Sequence, residues 1–155
     1  VEAFAAGRLD IVLAPLSIPG AESIVLGEEY LRWLSAPDFA ALRQDVLPLV
    51  GCDEGCSYRR MATSALDAAG RRWTMTMTSP SLAGVLTAVR AGIGITIRGE
   101  SIIDDGLAAV PDKAGLPNLP SVTYSLSKRS GPGQPAVDAL AEMLVDKQRL
   151  RRART

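Results

Sequence analysis

The sequence predicts an α/β fold, and three observations predict it. First, one pattern occurs twice: a helix, an Ala-Gly stop, then a short apolar strand. It is present at Ala3-Phe4-Ala5-Ala6-Gly7-Arg8-Leu9-Asp10-Ile11-Val12-Leu13 and again at Ala88-Val89-Arg90-Ala91-Gly92-Ile93-Gly94-Ile95-Thr96-Ile97. Glycine just past a helix supplies the left-handed residue that ends it. Second, Ile11-Val12-Leu13 and the run 93–97 show little polar alternation, so each reads as a strand buried on both faces of a parallel sheet. Third, the later copy has a complete strand–helix–strand lead-in, whereas the earlier copy starts inside its helix with no Ser, Thr, Asp or Asn cap. The expectation is therefore a piece of a longer protein holding two related α/β units.

The elements follow in order. Residues 9–13 are the first strand and 15–22 a loop of turn formers. Tyr30 to Ser35 alternates weakly and reads as a strand, closed by Ala36-Pro37-Asp38. Residues 38–45 form a short helical turn, and 46–50 a buried strand containing Pro48. Met61, Ala65, Leu66 and Ala69 have helical spacing, which predicts a helix over 57–69 ended by Gly70. Residues 73–78 alternate Thr and Met as a strand. Ser79-Pro80 opens the next helix, with serine as cap and proline in the first turn. That helix carries Leu82, Val85, Leu86 and Val89 on one stripe. A strand at 93–97, a short strand at 106–110, a loop at 111–120 and a strand at 122–127 come next. Gly131-Pro132-Gly133-Gln134-Pro135 breaks the chain before a last helix showing Val137, Leu140, Ala141, Leu144 and Val145.

Composition narrows the function. With 155 residues, 47% of them hydrophobic and 22% charged, the chain is long and apolar enough to fold around a core. The 17 basic residues are balanced by 17 acidic ones, so no net attraction to nucleic acid or an anionic membrane is expected. No apolar run approaches a membrane span. Two cysteines and no histidine remove most zinc arrangements. There is no histidine base, no Gly-x-Ser-x-Gly elbow and no phosphate loop with lysine, and Gly92-Ile93-Gly94 follows a helix rather than opening one. No cofactor is expected, and an enzyme is not the favoured class.

The order of these phrases resembles the effector-binding domain of LysR-type transcriptional regulators. The residues that carry the resemblance are Ala6-Gly7-Arg8-Leu9-Asp10-Ile11-Val12-Leu13, Leu86-Thr87-Ala88-Val89-Arg90-Ala91-Gly92-Ile93-Gly94-Ile95-Thr96, and Gly51-Cys52-Asp53-Glu54-Gly55-Cys56-Ser57-Tyr58-Arg59-Arg60 with Leu66 and Ala69-Gly70 after it. The resemblance implies a periplasmic-binding-protein-like fold, with two Rossmann-like subdomains around a cleft and the first subdomain incomplete. Residues 1–27 and 131–155 would be the remnant of the first subdomain, and 28–130 the second. It further implies a small polar or anionic effector, a homodimer or tetramer, and DNA contact only through an N-terminal helix-turn-helix that this chain lacks. The location implied is the cytoplasm, with no membrane partner.

Several residues are candidates for the site. Thr78, Ser79 and Ser81 follow a strand and open a helix, where unpaired N–H groups favour small anions and where ligands of parallel sheets bind. The competing reading makes Ser79 a helix cap and nothing more. Pro15, Leu16 and Ser17 follow the first strand and match a family position that lines the cleft. Ser57 is a second candidate cap. Arg59 or Arg60 could add charge there, with a solvated helix face the favoured reading, and Arg98, just after Ile97, is expected to face the hinge or solvent, with solvent favoured. Cys52 and Cys56 are expected to be free thiols rather than a disulfide, because a loop must first bring their Cβ atoms close. The basic run from Lys147 to Arg154 is a solvated helix end, favoured there by the macrodipole. Two rivals to the effector-domain reading stay open: a solute-binding protein of a transport system, and a small enzyme using Cys52 or Cys56.

Overall fold

The computed structural model describes residues 2–15, 18–129 and 135–152, with side chains through residue 147. The chain divides into two compact units, residues 1–29 with 121–155, and residues 30–120.

The first unit begins with α1 (Glu2–Ala5), which Gly7 ends at φ 76°. Strand β1 (Ile11–Ala14) follows, then the N-terminal half of the long strand β2 (Glu22–Ser35). Strand β7 (Ser121–Lys128) and helix α4 (Pro135–Arg152) complete it. β1 pairs antiparallel with β7, from Ile11 opposite Lys128 to Ala14 opposite Ser125. Leu26, Leu126, Ala141 and Val145 form its core, with Ile11, Tyr124 and Leu144 against them. Fully burying each large apolar side chain is worth about 1.5–3 kcal/mol, so this small cluster is the main tie between α4 and the strands. Arg129 fastens the other end: its guanidinium lies over the Phe4 ring at 5.0 Å and donates to the Phe4 carbonyl.

The second unit holds the remainder of β2, then β3 (Leu47–Gly51), α2 (Ser57–Ala68), β4 (Trp73–Thr78), α3 (Leu82–Arg90), β5 (Thr96–Gly99) and β6 (Ala108–Ala109). β3 and β4 are parallel, from Leu47 opposite Trp73 to Gly51 opposite Thr78, with a shift between Leu49 and Val50. Leu49 bridges Ile95 in parallel, so three strands run the same way here. All five residues of β3 are buried. Val50, Val85, Ala88, Val89 and Leu107 pack as one cluster, which seats α3 on the strands. Gly94 permits the close approach: a Cβ there would lie 2.7 Å from the Pro48 carbonyl oxygen. β5 also pairs antiparallel with the end of β2, Trp33 opposite Ile97.

Several expectations change. Ile11-Val12-Leu13 is not a strand buried within a parallel sheet: it pairs antiparallel, and Leu13 is 51% exposed. The loop expected over 15–22 holds at Pro15 and from Ile18 to Ala21, but the strand expected at Tyr30 is a 14-residue strand that starts at Glu22, because pairing with β7 overrides the poor strand preference of its acidic residues. The strand expected at 93–97 begins at Thr96, and Ile93 is exposed. The expected helical turn at 38–45 is a 3-10 turn at Ala40–Arg43, and a second such turn, Asp112–Ala114, lies in the expected loop 111–120. The expected division at residues 28 and 131 differs from the compact units, since β7 groups with β1. Gly131 to Gln134 lie outside the described residues.

Candidate functional site

The carboxyl ends of the parallel strands in the second unit bring three segments together: Gly51-Cys52 after β3, Thr78-Ser79 after β4, and Ile97-Arg98 in β5. The Ser79 amide donates to the Gly51 carbonyl at 3.0 Å, which ties the second segment to the first. Arg98 Nη2 donates to Cys52 Sγ at 3.1 Å, which ties the third to the first. Ligands of parallel α/β sheets bind at this end.

The β4–α3 junction is closed on itself. Ser81, not Ser79, is the cap of α3, its Oγ accepting from the Gly84 amide at 3.1 Å. Pro80 consequently precedes the cap instead of sitting in the first turn. Ser79 is buried, donates its hydroxyl to the Ser81 carbonyl at 3.2 Å and accepts from the Ser81 amide at 3.3 Å. A Cβ on Gly84 would overlap the Ser79 hydroxyl, so glycine is required beside it. Thr78 and Ser81 are exposed.

The β3–α2 junction is built otherwise. Cys56 occupies the cap position, and its side chain makes no capping hydrogen bond to the helix. The expected cap, Ser57, is the first helical residue instead. A turn closed by the Cys56 amide on the Asp53 carbonyl, at 3.0 Å, leads into the helix. Both cysteines are free and half-buried. Burial pushes the Cys52 thiol above its ordinary value, and its contact with Cys56 adds to that, while Arg98 opposes it. Arg59 is not a purely solvated residue: its Nη1 donates to the Cys52 carbonyl at 3.3 Å, and Nη2 lies 3.8 Å from Glu54. Arg60 is exposed, as expected.

Arg98 overturns its expectation most plainly. It is 7% exposed rather than solvated. Nη1 donates to the Ile97 carbonyl at 2.7 Å, and the guanidinium lies 4.6 Å from the centre of the Tyr58 ring. The sequence held a usable signal: Ile95, Thr96 and Ile97 form a run without alternation, so the next residue has no reason to find an exposed face. The enclosed space beside it, lined by Gly51, Tyr58, Arg59, Met75 and Thr96, is about 10 Å³, room for one water.

Of the first-unit candidates, Pro15 is a half-buried bend after β1, and Leu16 and Ser17 lie outside the described residues. Beyond Lys147 the side chains of the basic run also lie outside them. Among the described residues no helix is long and apolar enough to cross a membrane.

Comparison with known proteins shows the family and the fold. The LysR substrate binding domain family matches residues 1–149. The HTH-type transcriptional regulator PecT of Dickeya dadantii is 29% identical over 122 residues, covering 79% of this chain and 39% of PecT. DgdR of Burkholderia cepacia, also an HTH-type transcriptional regulator, is 33% identical over 116 residues, covering 74% of this chain and 40% of DgdR. The chain thus spans about two fifths of the length of these relatives. The apo regulatory domain of HypT from Salmonella typhimurium shares the fold, with a TM-score of 0.75 at 15% identity over 96% of this chain and 77% of that one. The fold is therefore the periplasmic-binding-protein-like α/β fold of LysR regulatory domains, and no transport protein is among these matches. The family is one of effector-sensing domains rather than catalytic ones, and this chain belongs to it: it is a LysR substrate-binding domain.

Proposed function

We propose that this domain binds a small polar or anionic effector at the carboxyl ends of β3, β4 and β5, through Thr78, Ser79, Ser81 and the β3–α2 turn. The observation that carries the reading is the convergence there of Gly51-Cys52, Ser79 and Arg98, joined by the Ser79–Gly51 and Arg98–Cys52 hydrogen bonds. Backbone donors at the α2 and α3 N-termini and hydroxyls that donate or accept suit a polar ligand. Pro15, Leu16 and Ser17 stay proposed effector residues on the strength of the family resemblance alone.

In a regulator of the relatives' length, effector binding would bias the arrangement of subunits and so the DNA contacts of a helix-turn-helix segment. The working form would be a homodimer or tetramer in the cytoplasm. Exposed apolar side chains on the first unit, Leu13, Val25 and Met143, support association.

The test is amide chemical-shift mapping of the chain against a panel of small acids, sugars and amides. Shifts clustering at residues 51–58, 78–84 and 96–99 are the expected result. Clustering in the groove of the first unit, at Glu22, Lys128 and Asp138, would overturn the site.

A further inference from the structure

We propose that Arg98 is the carboxylate-recognising residue of this domain, and that the effector carries a carboxylate. The inference rests on the effector-site reading above and narrows its ligand class.

Arg98 is more than nine-tenths buried, yet no carboxylate among the described residues lies within ion-pair distance of it. Three more exposed arginines show the reverse pattern. Arg32 pairs with Glu100, Arg72 with Asp45 and Arg90 with Asp104, all with half-exposed or exposed side chains. A cation is ordinarily matched where water is scarce, because leaving a buried charge uncompensated is expensive. Those three are matched at the surface, and Arg98 is not matched among the described residues.

What surrounds Arg98 is chosen for orientation rather than neutralisation. The Tyr58 ring fixes the guanidinium plane, and the Ile97 carbonyl takes one N–H of Nη1. Of five guanidinium donors, the second engaged one points at Cys52 Sγ, a weak acceptor. Burial keeps that thiol protonated near neutral pH, so it supplies no negative charge. The first turn of α2, which includes Tyr58, receives no capping bond from the Cys56 side chain and adds positive partial charge on the same side. A planar, fixed guanidinium with an exchangeable partner is a receptor for a planar carboxylate, which accepts two parallel hydrogen bonds. The enclosed space of about 10 Å³ is too small for the ligand, so the carboxylate replaces Cys52 on Nη2 after a rotation of the cysteine side chain.

The experiment compares matched pairs, acetate with acetamide, benzoate with benzamide and succinate with succinamide, at millimolar concentration on the full chain, by calorimetry and chemical-shift mapping. At least one acid should bind and perturb residues around Arg98 while its amide does not. Arg98→Gln, with circular dichroism unchanged, should weaken that acid by about tenfold or more. Arg98→Lys keeps the charge and loses the fork, so it should bind several-fold more weakly. It decides the matter if the glutamine variant fails to fold. Unchanged acid affinity in a folded variant, amides binding as well as acids, or no acid binding at all would each overturn the assignment. Amides that perturb residues 51–58 and 78–84 without preference for acids would leave the effector site standing and remove only the carboxylate.

Discussion

The two strand-to-helix junctions of the second unit face the same local problem and answer it differently. After β4, Ser81 caps α3 and the buried Ser79 binds the Ser81 backbone twice, so the polar groups of the junction are satisfied internally. After β3, α2 follows Cys56 without a capping bond from that side chain, beside a buried arginine with no anionic partner among the described residues. The first junction is held by side-chain hydrogen bonds and the second by a backbone turn.

The largest effect should come from the glycine that lets the chain entering β5 approach β3 beneath the two junctions. Gly94→Ala places a methyl group 2.7 Å from the Pro48 carbonyl oxygen, a backbone atom with nowhere to retreat. We expect a loss of up to about 3 kcal/mol in urea unfolding. A loss below about 0.5 kcal/mol, the scale of an inert surface change, would mean the β3–β5 approach is looser than described.

The junctions themselves separate at the next level. Ser81→Ala should cost about 1 kcal/mol, the usual value of a serine cap. Cys56→Ala should stay within about 0.5 kcal/mol, since no capping bond is lost. Equal losses in the two variants would erase the distinction between the junctions.

The smallest effect is alkaline. The folded-state pKa of Cys52 is raised, chiefly by burial, so its stabilising contribution is complete below the unfolded value of about 8.5 and fades as pH rises through the folded value. Unfolding followed from pH 7 to about 10 should show a modest decline that Cys52→Ala flattens. A decline unchanged in that variant would assign the alkaline sensitivity elsewhere.

Much of the second unit was legible before its structure. Residues 73–78 form the strand that alternating Thr and Met imply, and α2 ends at Ala68, one residue before the expected position. Such features depend on local periodicity and glycine stops, which neighbours in sequence determine. Two particulars were not legible, and a third was outweighed. The strand from Glu22 owes its form to a partner about a hundred residues away. The cap of α3 fell to Ser81 because Ser79 was drawn inward to Gly51 and Gly84. Arg98 looked like a surface cation because charge ordinarily predicts exposure.

The sequence by itself determined the α/β class and the βαβαβ order of the second unit, and its motif order carried the resemblance to the family. Each follows from spacing or from motif order along the chain. Tertiary structure decided the antiparallel placement of Ile11–Ala14 and the burial of Arg98 against Tyr58 and Cys52. Strand direction and burial are properties of what packs alongside, and no residue carries its distant neighbours in its own chemistry.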